Sequence, residues 1–249
     1  MIVEIKPKLV SSGNTHIVYN AHAVSSFDAD RFQELCSLPP PIHSPSLGKG
    51  RGAANVVTVA DRPCVLKHYH RGGLVAGFLV DRYLYTGLDR TRSFAEWRLL
   101  SLMHKRGLPV PIPFAARCCR HGLFYTADLI SEYCQGTQTL AQLLSREPLP
   151  NFLWRKLGHT LRRFHDCGIY HADLNAHNIL LNSENGEVTL VDFDRAFHSR
   201  HPFFLRRNMA RLQGSLNKLA GKGECPAYRR EDFQVLLDSY EKPVHPDLP

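Results

Sequence analysis

The feature that most constrains this chain is a polar pattern set around two short apolar runs. Residues 171–181 read His-Ala-Asp-Leu-Asn-Ala-His-Asn-Ile-Leu-Leu, and residues 191–194 read Val-Asp-Phe-Asp. The apolar runs at 179–181 and 189–191 predict two short strands, and the polar residues 182–187 between them predict a turn. We therefore expect a small antiparallel hairpin at this point of the chain.

Such a hairpin brings three polar side chains together. Asn178 precedes the first strand, Asp192 follows the second, and Asp173 lies five residues before Asn178. Carboxylate and amide oxygens are magnesium ligands, and a further carboxylate beside them can accept the proton of a hydroxyl group. The pattern predicts magnesium-assisted phosphoryl transfer, with Asp173 as the catalytic base and Asn178 and Asp192 as the metal ligands.

The order H-x-D-x-x-x-x-N, strand, turn, strand, D-F resembles the catalytic loop and the metal-binding aspartate of protein kinases. His171 is interpreted as a group that hydrogen-bonds the backbone beneath the loop rather than as a base. The sequence differs from protein kinases in two features. Asp194 stands where protein kinases carry glycine, and no A-P-E segment follows Asp192. The missing segment argues against a protein substrate.

The first half of the chain contains candidates for a nucleotide site. Gly48, Gly50 and Gly52 precede an apolar strand and permit a close approach of the backbone to phosphates, although a glycine-rich hairpin turn is the default interpretation of these glycines taken alone. Lys67 follows in another apolar strand, where its charge is costly without a partner. In kinase-like folds this lysine contacts the phosphates of ATP and is held by a helix glutamate.

Glu96 is the candidate partner of Lys67. It lies in a predicted helix at 93–103, where Ser93 at the N-cap and Glu96 at N3 also match a capping box. Both interpretations remain open at this point, and the order of the other elements favours the pairing with Lys67.

Strand patterns come first and helical patterns follow, which predicts an α+β chain with a two-lobe, protein-kinase-like fold. The expected N-terminal lobe is a small antiparallel sheet at residues 1–130. A hinge is predicted at 131–137, and a mainly helical catalytic lobe at 138–249.

The charge is unevenly distributed along the 249 residues, whose net charge is +8. Residues 195–230 contain nine Lys and Arg against the single acid Glu224. This excess indicates an anionic partner, and the alternative is a solvated helical face. The N-terminal residues lack the pattern of a secretory signal, so we expect the chain in the cytosol or on the cytoplasmic face of a membrane.

Residues 164–181, together with 192–195, resemble the bacterial kinases of 3-deoxy-D-manno-octulosonic acid (Kdo) that act in lipopolysaccharide synthesis. The resemblance implies ATP-dependent phosphorylation of a Kdo hydroxyl on a lipid A precursor. It also implies a peripheral position on the anionic cytoplasmic face of the inner membrane, with ATP and Mg2+ as cofactors. No nucleic-acid partner is expected. The sequence does not fix the oligomeric state, and a monomer is the working expectation.

Two alternatives remain. One is another small-molecule kinase that resembles heptose kinases or aminoglycoside phosphotransferases. The other is a catalytically inactive, kinase-like module that binds lipid, and the presence of Lys67, Asp173, Asn178 and Asp192 weighs against it.

Overall fold

The computed structural model of the chain describes residues 4–38, 54–70, 81–182 and 184–242. The chain divides into two compact units: unit 1 comprises Met1–Gly107 and Pro111–Tyr133, and unit 2 comprises Leu108–Val110 and Cys134–Pro249. The boundary between the two units at Tyr133 and Cys134 lies within residues 131–137, where the sequence predicts a hinge. The hinge itself remains a prediction.

Unit 1 contains an antiparallel sheet of seven strands. They are β1 (Pro7–Ser12), β2 (Thr15–Asn20), β3 (Ala54–Val59), β4 (Arg62–His68), β5 (Tyr83–Leu84), β6 (Pro113–His121) and β7 (Phe124–Glu132). Their order is β1-β2-β6-β7-β4-β3, and β5 pairs with β7. Because β4 pairs with β3 on one side and β7 on the other, the strand that carries Lys67 is fixed along both edges.

Helix α1 (Ala29–Ser37) covers one part of this sheet. Its N-cap is Asp28, whose Oδ1 accepts a hydrogen bond from the backbone N–H of Arg31 at 2.9 Å. Phe32 and Leu35 are buried in a cluster with side chains of the strands. The face of α1 that carries Phe32 and Leu35 is thus part of the core.

Helix α2 (Arg92–Lys105) carries Glu96 and begins earlier than predicted. The N-cap is Thr91, whose side chain makes no capping hydrogen bond. The prediction of a capping box with Ser93 at the N-cap is wrong, because Oγ of Ser93 donates to the backbone carbonyl of Arg117 on β6 at 2.8 Å. This bond to another element engages the hydroxyl that the sequence assigned to the cap.

The described part of unit 2 contains four helices, which are α3 (Leu140–Leu144), α4 (Asn151–Asp166), α5 (Pro202–Gly221) and α6 (Arg230–Glu241). The apolar face of α4, which includes Leu153, Leu157 and Leu161, is buried. Gly158 of α4 lies directly against the backbone of α6, at Leu236. No helix in the described ranges is both long and apolar enough to cross a membrane.

Short strands flank the loops that contain Asp173, Asn178 and Asp192. They are β8 (Thr137–Thr139), β9 (Ile169–Tyr170), β10 (Ile179–Asn182), β11 (Val188–Leu190) and β12 (Phe197–His198). The predicted hairpin is confirmed, since β10 pairs antiparallel with β11 and Ile179 lies opposite Leu190. Strand β9 pairs with β12. The predicted α+β class, with an antiparallel sheet first and helices afterwards, is also confirmed.

Candidate active site

Unit 1 contains the predicted ion pair between Lys67 and Glu96. Nζ of Lys67 on β4 lies 3.0 Å from Oε2 and 3.4 Å from Oε1 of Glu96 on α2. Only 4% of the Glu96 side chain is exposed, so its carboxylate depends on such a partner. Gly48, Gly50 and Gly52 lie outside the described residues.

Tyr69 is a third member of this group that the sequence analysis did not identify. Its hydroxyl donates to Oε2 of Glu96 at 2.5 Å, and Nζ of Lys67 lies 4.7 Å from the centre of its ring. Residues two apart in an extended segment share a face, so the spacing of Lys67 and Tyr69 was a usable signal. The lysine thus has a carboxylate and an aromatic ring beside it, and both orient its ammonium group.

In unit 2, His171 joins the two halves of the polar pattern. Its Nδ1 accepts the backbone N–H of Asp173 at 3.2 Å, and its Nε2 lies 2.9 Å from the carbonyl oxygen of Val191. The ring therefore connects the loop of Asp173 to the residue that precedes Asp192. The interpretation of His171 as a group that hydrogen-bonds the backbone is confirmed.

Asn208 on α5 fixes the backbone of His171 from the other side. Its Oδ1 accepts the N–H of His171 at 3.1 Å, and its Nδ2 donates to the carbonyl oxygen of His171 at 2.6 Å. The same Oδ1 lies 3.2 Å from Nε2 of His165, whose Nδ1 lies 2.7 Å from the hydroxyl of Tyr240 on α6. A buried polar network thus ties α4, α5 and α6 to the loop of Asp173.

No local signal in the sequence marks Asn208 as part of the site. The residue lies in the middle of a helix, 37 positions after His171, and its role depends wholly on contacts with that distant segment. Asn208 is distinguished by its burial, with 1% of the residue exposed, and a single sequence does not reveal that one amide is buried.

Asn178 and Asp173 are in direct contact. Nδ2 of Asn178 donates to the backbone carbonyl of Asp173 at 2.9 Å, and Nδ2 of Asn175 donates to the same oxygen at 2.9 Å. The backbone N–H of Val191 donates to the carbonyl of Asn178 at 3.1 Å. These bonds bring the segments of Asp173, Asn178 and Asp192 together, as expected from the predicted hairpin.

The donor set fits a magnesium ion. A backbone carbonyl only accepts hydrogen bonds, so the bond to Asp173 requires the NH2 end of the Asn178 amide and directs its Oδ1 elsewhere. An amide oxygen from Asn178 and carboxylate oxygens from Asp192 are the hard ligands that magnesium takes. Asp192 itself has a left-handed backbone, with φ of 63°. This strained conformation is characteristic of functional sites.

Arg211 on α5 contacts the proposed base. Its Nη2 hydrogen-bonds Oδ1 of Asp173, and about half of each side chain is exposed. Both side chains are therefore accessible from solvent, and the guanidinium group is the member of the pair that can attract an anionic molecule. Arg211 was one of the nine basic residues noted in the sequence, but its contact with Asp173 depends on the position of α5.

A lysine held by a buried glutamate in a sheet unit, with the H-x-D-x-x-x-x-N loop and D-F of a helical unit, defines a phosphotransferase of the protein-kinase-like class. Residues 46–240 match the Lipopolysaccharide kinase (Kdo/WaaP) family, and the chain belongs to this family.

Several similar proteins carry the name 3-deoxy-D-manno-octulosonic acid kinase. The protein of Photobacterium profundum is 40% identical over 195 residues, which are 78% of this chain and 82% of the relative. That of Haemophilus influenzae strain Rd is 41% identical over 78% of this chain and 83% of its own length. That of Vibrio vulnificus is 37% identical over 92% of this chain and 96% of its own length.

Proposed function

We propose that this chain transfers the terminal phosphoryl group of ATP to a hydroxyl group of Kdo on a lipid A precursor. The family is one of lipopolysaccharide kinases, and the similar proteins are named for phosphorylation of this sugar acid. The observation that supports the chemistry best is the loop of Asp173. Its carboxylate is half exposed, while its backbone is fixed by His171 and by the amide of Asn178.

In this proposal Asp173 is the general base. Its carboxylate takes the proton of the Kdo hydroxyl as the oxygen attacks the phosphorus of the terminal phosphate, and ADP is the leaving group. The backbone N–H and the backbone carbonyl of Asp173 are both hydrogen-bonded, and these bonds restrict the positions that its carboxylate can take. Such restriction is the main contribution of a protein to this kind of reaction.

Lys67, held by Glu96 and Tyr69, is assigned to the phosphates of ATP. Asn178 and Asp192 are assigned to Mg2+, which supplies neutralisation of the phosphate charge when it is bound. The assignments rest on the residue types, on the Lys67–Glu96 pair and on the orientation of the Asn178 amide.

The proposal includes a peripheral position on the cytoplasmic face of the bacterial inner membrane, where a lipid-linked acceptor is accessible. The excess of Lys and Arg at 195–230 supports an anionic surface as a partner.

The proposal is tested by incubation of the purified chain with ATP, magnesium and a panel of acceptors. We expect mass spectrometry to find one added phosphate on a Kdo-bearing lipid A precursor, and none on the same precursor without Kdo. Phosphorylation of heptose or aminoglycoside acceptors, with none on Kdo, would instead support the other small-molecule kinases.

A further inference from the structure

The first half of α5 presents an unusual surface. Phe203 is 55% exposed, and Arg206 and Arg207 beside it are exposed as well. These residues line an open groove of about 410 Å³, here called the α5 groove, together with His201, Pro202 and Ala210. Large exposed aromatic side chains beside arginines are typical of surfaces that contact lipid.

The aromatic part of this surface extends beyond the helix. The ring of Phe203 lies 5.4 Å from that of Phe204, which lies 5.2 Å from the ring of Phe197 on β12. Phe197 is itself 40% exposed. The apolar surface is therefore a contiguous patch rather than a single exposed side chain.

The helical face that lines the α5 groove continues to Arg211, which contacts the proposed base. Phe203, Arg206, Arg207 and Ala210 have the spacing i, i+3, i+4, i+7 of a single helical face. Arg211 is four residues after Arg207 and contacts Asp173. At a rise of 1.5 Å per residue, the eight steps from Phe203 to Arg211 span about 12 Å along the helix.

The charge of this surface is of one sign. No acidic residue occurs between Asp194 and Glu224, so α5 provides no carboxylate to pair with Arg206 or Arg207. Guanidinium groups bind phosphate oxygens in two-pronged geometry, and two adjacent arginines suit a phosphorylated ligand.

We propose that the α5 groove binds the phosphorylated and acylated part of the same acceptor molecule whose Kdo hydroxyl reaches Asp173. This inference rests on the proposed function. Arg206 and Arg207 bind phosphate groups of the acceptor, and Phe203 with Phe197 contacts an acyl chain. One molecule that carries a sugar acid, phosphates and lipid chains matches the order along α5, from Arg211 at Asp173 through Arg207 to Phe203.

The test compares two acceptors: a Kdo-bearing lipid A precursor dispersed in neutral detergent micelles, and the water-soluble methyl glycoside of Kdo. For each enzyme the ratio of the two kcat/KM values, lipid over glycoside, is measured. In the triple variant Phe203→Ala, Arg206→Ala, Arg207→Ala we expect this ratio to fall by about tenfold or more, which corresponds to about 1.4 kcal/mol. The single variant Arg207→Gln lowers the ratio in the same direction.

Helix α4 offers a matched control. Phe152, Arg155 and Lys156 have the same i, i+3, i+4 spacing as the altered residues, are exposed, and include a phenylalanine that is 48% exposed. The triple variant Phe152→Ala, Arg155→Ala, Lys156→Ala keeps the wild-type ratio.

An unchanged ratio in an active α5 variant, or equal losses on both acceptors, overturns the inference. So does a variant that no longer sediments with phosphatidylglycerol vesicles but keeps the wild-type ratio in micelles, because the bilayer is then the partner. A wild-type enzyme that phosphorylates neither acceptor overturns the proposed function, and with it the inference.

Discussion

At the scale of single residues, His171 shows how contacts fix a chemical role. The N–H of Asp173 is a donor, so Nδ1 must be unprotonated, and the carbonyl of Val191 is an acceptor, so Nε2 must carry the proton. The ring is therefore neutral, and both of its nitrogens are engaged by the backbone. Asp173 remains as the candidate base in this loop.

The group around Lys67 leads to a prediction about stability and activity. Replacement Lys67→Met removes the cation beside the buried carboxylate of Glu96 and leaves Tyr69 as a donor to it. We expect a loss of about 1–3 kcal/mol in the free energy of unfolding, measured with urea, because the carboxylate stays buried with fewer partners.

The double variant Lys67→Met, Glu96→Gln separates stability from function. Loss of the carboxylate's charge recovers most of the lost stability, whereas the kinase activity stays low because Lys67 is still absent. If the double variant is no more stable than Lys67→Met, the destabilisation does not arise from the uncompensated charge of Glu96.

At the scale of elements, the sequence predicts a structural element correctly where residues close together in the chain determine it. The β10–β11 hairpin follows from two apolar runs around a polar turn, and Asp28 caps α1 through a bond to Arg31, three residues away. The start of α2 was wrong because Ser93 bonds a strand 24 residues away. Asn208 was missed for the same reason. The sequence therefore predicts the residue types of the site. It does not predict the side chains, such as Asn208, that hold the site in place through contacts with distant segments.

Helix packing provides a prediction at this scale. A Cβ at Gly158 of α4 would overlap the backbone carbonyl oxygen of Leu236 on α6, and backbone cannot move aside cheaply. Gly158→Ala should lower the free energy of unfolding by about 1–3 kcal/mol.

Gly214→Ala on α5 is the matched control, because a Cβ there meets no atom within 4 Å. Alanine is the better helix former by about 0.5–1 kcal/mol, so this variant should be more stable than the wild type. Equal effects of the two substitutions on urea unfolding would show that the contact between α4 and α6 is not close.

At the scale of the whole molecule, the buried network around Asn208 makes stability depend on pH. Burial lowers the pKa of His165 below its ordinary value of 6.5. Between its folded and unfolded pKa values, the unfolded chain binds a proton that the folded chain does not. This contribution to stability is complete above the unfolded pKa and is lost as the pH falls through that window.

We therefore expect His165→Gln to lose less stability than the wild type between about pH 7.5 and about pH 5.5, by at most about 1.4 kcal/mol per pH unit. Urea unfolding of both proteins at the two pH values measures the difference. His68, whose pKa is raised by its hydrogen bond to Asp128, acts with the opposite sign but contributes equally in both proteins. Equal losses would contradict a buried, neutral His165.

The central claim is that Asp173 accepts the proton of a Kdo hydroxyl, and the replacement Asp173→Asn tests it most directly. We expect kcat on a Kdo-bearing lipid A precursor to fall by about 10²–10⁴ while the Kd of ATP is unchanged, since only the base is lost. Asp166→Asn, at an exposed carboxylate on α4, is the control and keeps the wild-type kcat. A value of kcat in Asp173→Asn within about twofold of the wild type would contradict the account.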